Sequence, residues 1–540
     1  MSVAFRQLYG TTVTGRESAM PSSNWGSLFV APLVAVTLLA SCAPSAPQDE
    51  RHAALSSALT AADRIAACEQ DPRVVSGLVT REICAGADIF FRETFEGNGR
   101  TCGSCHPVEN NFTIDIPFID ALLDINPFDP LFVYEEDAAL TDLETYELKT
   151  NGLIRENIDG FDDLDGKYVM RGVQHTLSLA TTIAPDPAQE GEGMPLQRTG
   201  WSGDGAPGSG SLRDFLTGAV TQHLPKDLSR EPGVSFRLPT EQELDLTLAY
   251  QLSLGRTNEL DLTRVKLTDP EANEGRLAFL DPQRGRCNVC HSNAGANHLD
   301  TGRNRNLDTG ARKAPGTASA PGAFDGGFGG AGLPAPNIDV LGRNILDGYG
   351  DGTFNTPPII EAVDTPPFFH SNAFGNDIEA AVSFYIREDF KGSPAGRELE
   401  ARFGTPIQFP NADIVTMGRL LRVLNAAFNL DLAKQRLQAA RTLARQFHDT
   451  RDDVQKRLME LAEVEIDDAV QVLSVAGTPL HPVSRYRLRQ AKTEIAAGLS
   501  AAGWSARESR ISIALLRVQN ARDEFGSNIT YRLGQGNLMY

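Results

Sequence analysis

Two stretches of the chain set two cysteines and a histidine at identical spacing: Cys102-Gly103-Ser104-Cys105-His106 and Cys287-Asn288-Val289-Cys290-His291. In a C-x-x-C-H run the thiols can add across the two vinyl groups of one haem, while the adjacent imidazole reaches the iron from the proximal side. With 7 Cys and 9 His among 540 residues, chance supplies about 0.0015 such motifs, and two are present. A zinc site needs four Cys or His ligands, and neither motif has a second pair at usable spacing. The sequence therefore predicts two covalently bound haem c groups, attached at Cys102, Cys105, Cys287 and Cys290, with His106 and His291 on the irons. What such a centre does depends on the opposite coordination position. A second strong ligand makes an electron carrier, whereas an open position beside a proton donor lets peroxide or dioxygen react.

The elements that must position these residues repeat. A helix-like stretch carrying Cys68 leads into Gly86-Ala87-Asp88-Ile89-Phe90-Phe91, and Gly275-Arg276-Leu277-Ala278-Phe279 precedes the second motif. One unit of helix, loop, C-x-x-C-H and loop thus occurs twice. The expected fold is mainly α, with two cytochrome c-like haem domains over residues 86–265 and 266–430, long loops, and a helical C-terminal extension over 431–540. In that extension Leu437, Ala440, Ala444 and Phe447 share one face, as do Val454, Leu458 and Leu461. After a turn at 477–482, Leu488, Ala491, Ile495 and Leu499 repeat the pattern. Residues 211–223 read as a helix, and 310–352, dense in Gly, Pro and Ala, as a long ordered loop or lid. The acidic loop 159–165 lacks the spacing of a calcium-binding hand and reads as solvated acid.

Ahead of these units, residues 1–42 read as a targeting segment and 43–85 as a lead. Arg6 and Arg16 precede an apolar run over 28–40 that ends in Leu39-Ala40-Ser41-Cys42, which resembles a bacterial lipoprotein signal. It implies a mature chain starting at lipid-bearing Cys42 and anchored in the periplasm; Ala43 and Pro44, with no acidic residue, favour the outer membrane. An ordinary cleaved signal peptide is the alternative, and both take the protein out of the cytoplasm. There the two remaining cysteines, Cys68 and Cys84, form either a disulfide or two buried thiols. The net charge of −20 argues against nucleic acid as a partner, because phosphate binding needs clustered cations. A basic or neutral redox partner fits better, although a solvated acidic surface is the plainer reading of charge alone.

Further blocks stand in order around the motifs. They are Arg171-Gly172-Val173-Gln174 and Trp201-Ser202-Gly203-Asp204-Gly205 after the first, and Phe354-Asn355-Thr356-Pro357, Thr365-Pro366-Pro367-Phe368-Phe369-His370 and Ile378-Glu379-Ala380-Ala381-Val382 after the second. From about Gly86 to Leu430 the chain thereby resembles the dihaem bacterial cytochrome c peroxidases and the related MauG-type enzymes. The resemblance implies that Trp201 sits between the haems and passes electrons, its oxidisable indole suiting the task. It implies that His370 lies near a propionate of the second haem. Tyr385 stands where the peroxidases place an axial Met and MauG-type enzymes a tyrosine, so it is the implied sixth ligand of the second iron; a phenolate favours ferric and higher states. Packing roles for Trp201, His370 and Tyr385 are the alternatives, and Met417 is the alternative ligand.

Three positions depart from the family pattern. After His106 no histidine occurs before His175, so the first haem is expected to be five-coordinate, or reached only by His175 or His223. The family's catalytic glutamate falls near Leu224 or Pro225, leaving His223 as the adjacent acid–base candidate. Gly172 replaces the asparagine that holds calcium between the haems, which puts calcium in doubt although Thr365 and Pro367 still offer carbonyls. The leading expectation is a peroxidase-like enzyme that reacts peroxide at the first haem and shares electrons or oxidising equivalents through the second. Its partner would be a small electron-transfer protein. The alternatives are a MauG-like oxidase of a protein or organic substrate, a dioxygenase like the dihaem rubber oxygenases, and an electron-transfer cytochrome without catalysis.

Overall fold

The computed structural model of the protein describes residues 59–132, 138–157, 168–188, 195–205, 210–314, 324–329, 348–475 and 479–540. The leader with Cys42, most of the acidic loop and much of the 310–352 stretch lie outside them.

Helices dominate, and their starts follow local chemistry. Helix α1 (Ala61–Cys68) opens on a capping box, in which Thr60 Oγ1 accepts from the Asp63 N–H and the Asp63 carboxylate accepts from the Thr60 N–H. A disulfide joins its Cys68 to Cys84 of α2 (Arg81–Arg92), deciding between the two readings of that pair. Helices α3 (Ile116–Ile125) and α4 (Ala138–Asn151) follow the first motif. They lead into an antiparallel pair, β1 (Leu153–Glu156) and β2 (Val169–Gly172), with Leu153 opposite Gly172. As expected, α5 (Leu212–His223) starts at Ser211, whose hydroxyl accepts from the Asp214 N–H. The next helices are α6 (Glu241–Gln251) and α7 (Pro270–Leu280); Asp269 caps the latter and proline takes its first turn.

The repeat inferred from the sequence recurs in the packing. On α2, Gly86 lies so close to α6 that an added Cβ would sit 2.0 Å from Leu246 O; on α7, Gly275 would meet Thr416 O at 1.9 Å. Four residues later on each helix comes a fully buried ring, Phe90 or Phe279. Each C-x-x-C-H motif therefore follows a helix held against another at backbone distance, which only glycine permits.

Beyond the second motif lie α8 (Ile378–Ser383) and α9 (Pro394–Phe403), then α10 (Asn411–Phe447), α11 (Asp452–Val472), α12 (Pro482–Leu499) and α13 (Trp504–Arg522). Helix α10 supplies Thr416, the partner of Gly275, and runs unbroken through 430 and 431. The stripes read from the sequence are buried: Leu437, Ala440 and Ala444 on α10, Leu458 and Leu461 on α11, Leu488, Ala491 and Ile495 on α12. All of these but Ala444 join the apolar core that also receives Phe90 and Phe279. Residues 60–540 form one compact unit. Part of the 310–352 stretch is a parallel pair, Phe324–Asp325 with Gly348–Tyr349, too short to leave a period in the sequence. Among the described residues no helix is long and apolar enough to cross a membrane.

Because the atom facing Gly275 is main-chain oxygen, no rotamer change can accommodate a methyl group there. Gly275→Ala should cost about 3 kcal/mol, at the upper end of overpacking, against ~1 kcal/mol gained in helix propensity. Urea unfolding would show a net loss, and an unchanged or raised midpoint would refute the close crossing.

Candidate functional site

Both C-x-x-C-H runs fold into the same turn. The His106 N–H donates to Cys102 O (3.0 Å) and the His291 N–H to Cys287 O (2.9 Å). The histidines share a backbone conformation, φ −120° and ψ 61° at His106 against φ −112° and ψ 63° at His291. Beyond each, two successive left-handed residues swing the chain back: Asn111 and Phe112 after the first, Asn293 and Ala294 after the second. Carbonyls of these reversals, and at the second site that of Pro357 as well, meet the imidazoles from behind. His106 Nδ1 lies 2.8 Å from Phe112 O; His291 Nδ1 lies 3.1 Å from Pro357 O and 3.3 Å from Gly295 O. A carbonyl can only accept, so Nδ1 carries the hydrogen and Nε2 is left with its lone pair, the tautomer a metal requires.

Around the second motif lies a cavity of about 210 Å³ whose wall includes Cys287, Cys290 and His291. Tyr385, from a 3-10 turn just after α8, and Met417 of α10 line it as well. Met417 Sδ touches Cys287 Sγ at 3.7 Å. Burial, then the neighbouring Cys290, pushes the Cys287 thiol up to about 12, and burial raises Cys290 equally far. Both sulfurs are therefore neutral thiols. Among the described residues no three Cys, His, Asp or Glu side chains converge as ligands of one ion. Two thiols and one free Nε2 opening on a mostly apolar cavity suit a flat apolar macrocycle bonded at its rim and ligated at its centre.

The residues singled out in the sequence gather at this cavity. Trp201 and His370 line it, and so does His175, which the sequence offers as a group reaching the first haem. Trp201 Nε1 donates to Gly172 O (2.8 Å), and the Gly172 N–H donates to His370 O (2.8 Å), so strand β2 ties the tryptophan to the loop after the second motif. The His370 ring stacks on Phe354 with centroids 4.1 Å apart, and burial, opposed by Asp325, lowers its pKa to about 4. His175 Nδ1 accepts from the Leu177 N–H at 3.3 Å, which leaves its hydrogen on Nε2: a hydrogen-bond donor, the opposite tautomer to His106 and His291. A side chain at 172 would collide with Asn372, whose amide oxygen lies 2.1 Å from the Cβ position. Position 172 therefore contributes no oxygen ligand for calcium.

At the first motif Cys102 packs against the main core, while Cys105 faces a smaller cluster of Ile114, Ile119, Leu131, Leu148, Ile154 and Val173. Burial pushes Cys102 up to about 12 and Cys105 to about 11. His223, closing α5, comes to this site: its carbonyl accepts from Asn98 Nδ2 (3.1 Å) in the loop entering the motif. Burial, then the cations Arg100, Arg230 and Arg155, hold its ring well below the usual histidine range. It is thus neutral at physiological pH.

The sequence reading missed the buried polar groups behind these walls. Glu361, fully buried, receives Arg256 Nε at 2.8 Å and Ser178 Oγ at 2.7 Å. The one signal in the sequence is a lone carboxylate in the apolar run Pro358-Ile359-Ile360-Glu361-Ala362-Val363. The chain matches no family model, no curated protein and no solved structure.

Asn111, in the loop that holds His106, donates through Nδ2 to Asp364 O (3.0 Å) and to Asp468 of α11 (3.3 Å). Burial, then Asp468, pushes Asp364 well above its ordinary value of 3.8. Folding therefore takes up a proton here, and stability present below that ordinary value is lost as pH rises through the raised one. Asp364→Asn should remove this loss, so thermal melts of variant and parent should diverge from about pH 4 upward, the variant melting higher; parallel profiles would contradict the assignment.

Proposed function

We propose that the protein is a dihaem c-type redox enzyme of the cell envelope, peroxidase-like, reacting peroxide at the first motif and sharing electrons or oxidising equivalents through the second. The observation that carries this reading is the pair of C-x-x-C-H turns closed by the same His N–H to Cys O bond, each with its imidazole anchored through Nδ1 and free at Nε2. The glycine crossings at Gly86 and Gly275 support two cytochrome c-like units. When bound, haem supplies an iron that exchanges electrons and takes a small oxygen ligand.

The chain's own residues supply the rest. Cys102, Cys105, Cys287 and Cys290 tether the groups, and His106 and His291 each present one nitrogen. His223, closing α5 beside the first motif, is the residue that would exchange a proton with a peroxide held there. Trp201, its indole fixed on Gly172 O in the wall of the second cavity, provides an oxidisable ring between the units. Apolar walls exclude water, which strengthens the charges acting inside. The net charge of −20 favours a donor protein with a basic or neutral docking face, and the Cys68–Cys84 disulfide agrees with an oxidising compartment.

A MauG-like oxidase of a protein or organic substrate is the second reading, favoured by Tyr385. This phenol opens onto the cavity of Cys287, Cys290 and His291, whereas the sulfur of Met417 lies against Cys287, at the place of a rim attachment rather than of the central ion.

Two measurements test these readings. The denatured chain should retain two haems, and Ser at both Cys102 and Cys105, or at both Cys287 and Cys290, should remove one each, read as haem absorbance per chain; a haem-free wild type sinks the proposal. In the folded protein one ferric haem should be high-spin and respond to peroxide while the other is low-spin. Tyr385→Phe should change only the low-spin signal, and an unaltered spectrum removes Tyr385 as a ligand and the oxidase reading with it.

A further inference from the structure

Behind the wall of the second cavity lies a charged group that the proposed function does not use. Arg256 and Glu361 are both fully buried. Arg256 Nε donates to Glu361 Oε1 (2.8 Å), and its Nη1 donates to Glu259 Oε2 (2.9 Å). One guanidinium thus bridges two carboxylates, and the triad carries one negative charge. Ser178 Oγ donates to the same Glu361 Oε1 at 2.7 Å. Glu361 Oε2 and Arg256 Nη2, both buried, have no hydrogen-bond partner among the described residues. A buried carboxylate oxygen is costly to leave unpaired, and a proton or a water molecule relieves it.

The triad reaches from solvent to the redox site. The Glu259 side chain is 29% exposed, and Asn297 Nδ2 holds its other oxygen at 3.1 Å. An added Cβ on Gly295 would meet Glu259 Oε2 at 2.5 Å, and Gly295 O is one of the carbonyls behind His291 Nδ1. At the inner end Ala362 and Thr365, flanking Glu361, line the cavity. The titratable and charged groups facing Glu361 are Arg256, Glu259, His175 and Tyr531. Arg256 cannot give up its proton and His175 presents only a donor, so the exchangeable proton belongs to the two carboxylates.

We propose that the Glu259–Arg256–Glu361 triad takes up one proton from solvent when an electron reaches the second C-x-x-C-H centre, and releases it when the electron leaves. The electron comes from the one-electron donor protein, and the proton enters at Glu259 and settles on the inner pair. A negative charge behind His291 opposes reduction, and protonation cancels that charge, so electron and proton arrive together. Two such pairs are what a peroxide needs to become two waters. The inference rests on the second motif being a haem centre.

The test is a redox titration of the intact holoprotein at several pH values, following the low-spin haem. Wild type should lower its midpoint as pH rises, by up to about 59 mV per tenfold fall in proton activity. Glu361→Gln should raise the midpoint and flatten the slope. Should that variant not fold, Glu259→Gln, at the exposed end, should flatten it too. A pH-independent wild type, or a wild-type slope in either folded variant, overturns the proposal while leaving the haem reading intact; a chain without haem overturns both, so the two failures are distinct.

Discussion

An imidazole has two nitrogens, and fixing one decides what the other can do. At His106 and His291 a main-chain carbonyl occupies the Nδ1 side, so the opposite nitrogen is an aimed lone pair rather than a freely exchanging tautomer. Phe112 O and Gly295 O are brought there by a reversal through two left-handed residues beyond each histidine, whereas Pro357 O comes from a distant loop. At the first site one of those residues, Asn111, is tied by its amide to Asp364 and to Asp468 of α11. The position of the first ligand thus depends on a helix more than 350 residues away in sequence, with the Arg457–Glu109 ion pair as a second tie from the same helix to the same loop.

That dependence makes the C-terminal helices part of the machinery. Helix α10 is at once the partner against which Gly275 packs and the base on which α11 and α13 rest. From the other end of the chain, Asn537 exchanges two hydrogen bonds with Gly255, the residue before Arg256. The buried charge behind the second motif is thereby clamped by residues that carry no redox chemistry. Conformational freedom removed this far from the site is freedom that the ligands do not have to lose on reaction.

How far the sequence revealed this varies with the range of the interaction concerned. The two motifs, the glycine-bearing helices before them and the amphipathic stripes of α10 to α12 were legible because each is a local pattern of residue type and period. A place for Trp201, His370 and Tyr385 around the second motif was suggested by order and resemblance alone, whereas His175, expected at the first haem, lines the second cavity. His223 was weighed on adjacency to a family position, and the structure adds three buried arginines to its surroundings. The triad of Glu259, Arg256 and Glu361 left little trace, since Glu361 stands 105 residues from Arg256 and each is an ordinary residue until the fold places it. The 310–352 stretch read as loop because pairs of two residues carry no alternation to detect.

Trp201 and the loop after the second motif meet at a junction whose contacts are fixed by β2. Strand β2 bonds outward through Gly172 to both Trp201 and His370. One residue earlier, Arg171 is buried and holds Asp325 through two hydrogen bonds of 2.7 and 2.8 Å and Glu156 through a third of 2.8 Å. Losing one member of such a buried pair typically costs about 3–5 kcal/mol, because the other charge is stranded away from water. A junction built this way resists sliding, since any displacement that parted Arg171 from Asp325 would expose that cost. The indole of Trp201 is therefore held at a constant distance from the second cavity in every state that keeps the ion pair intact.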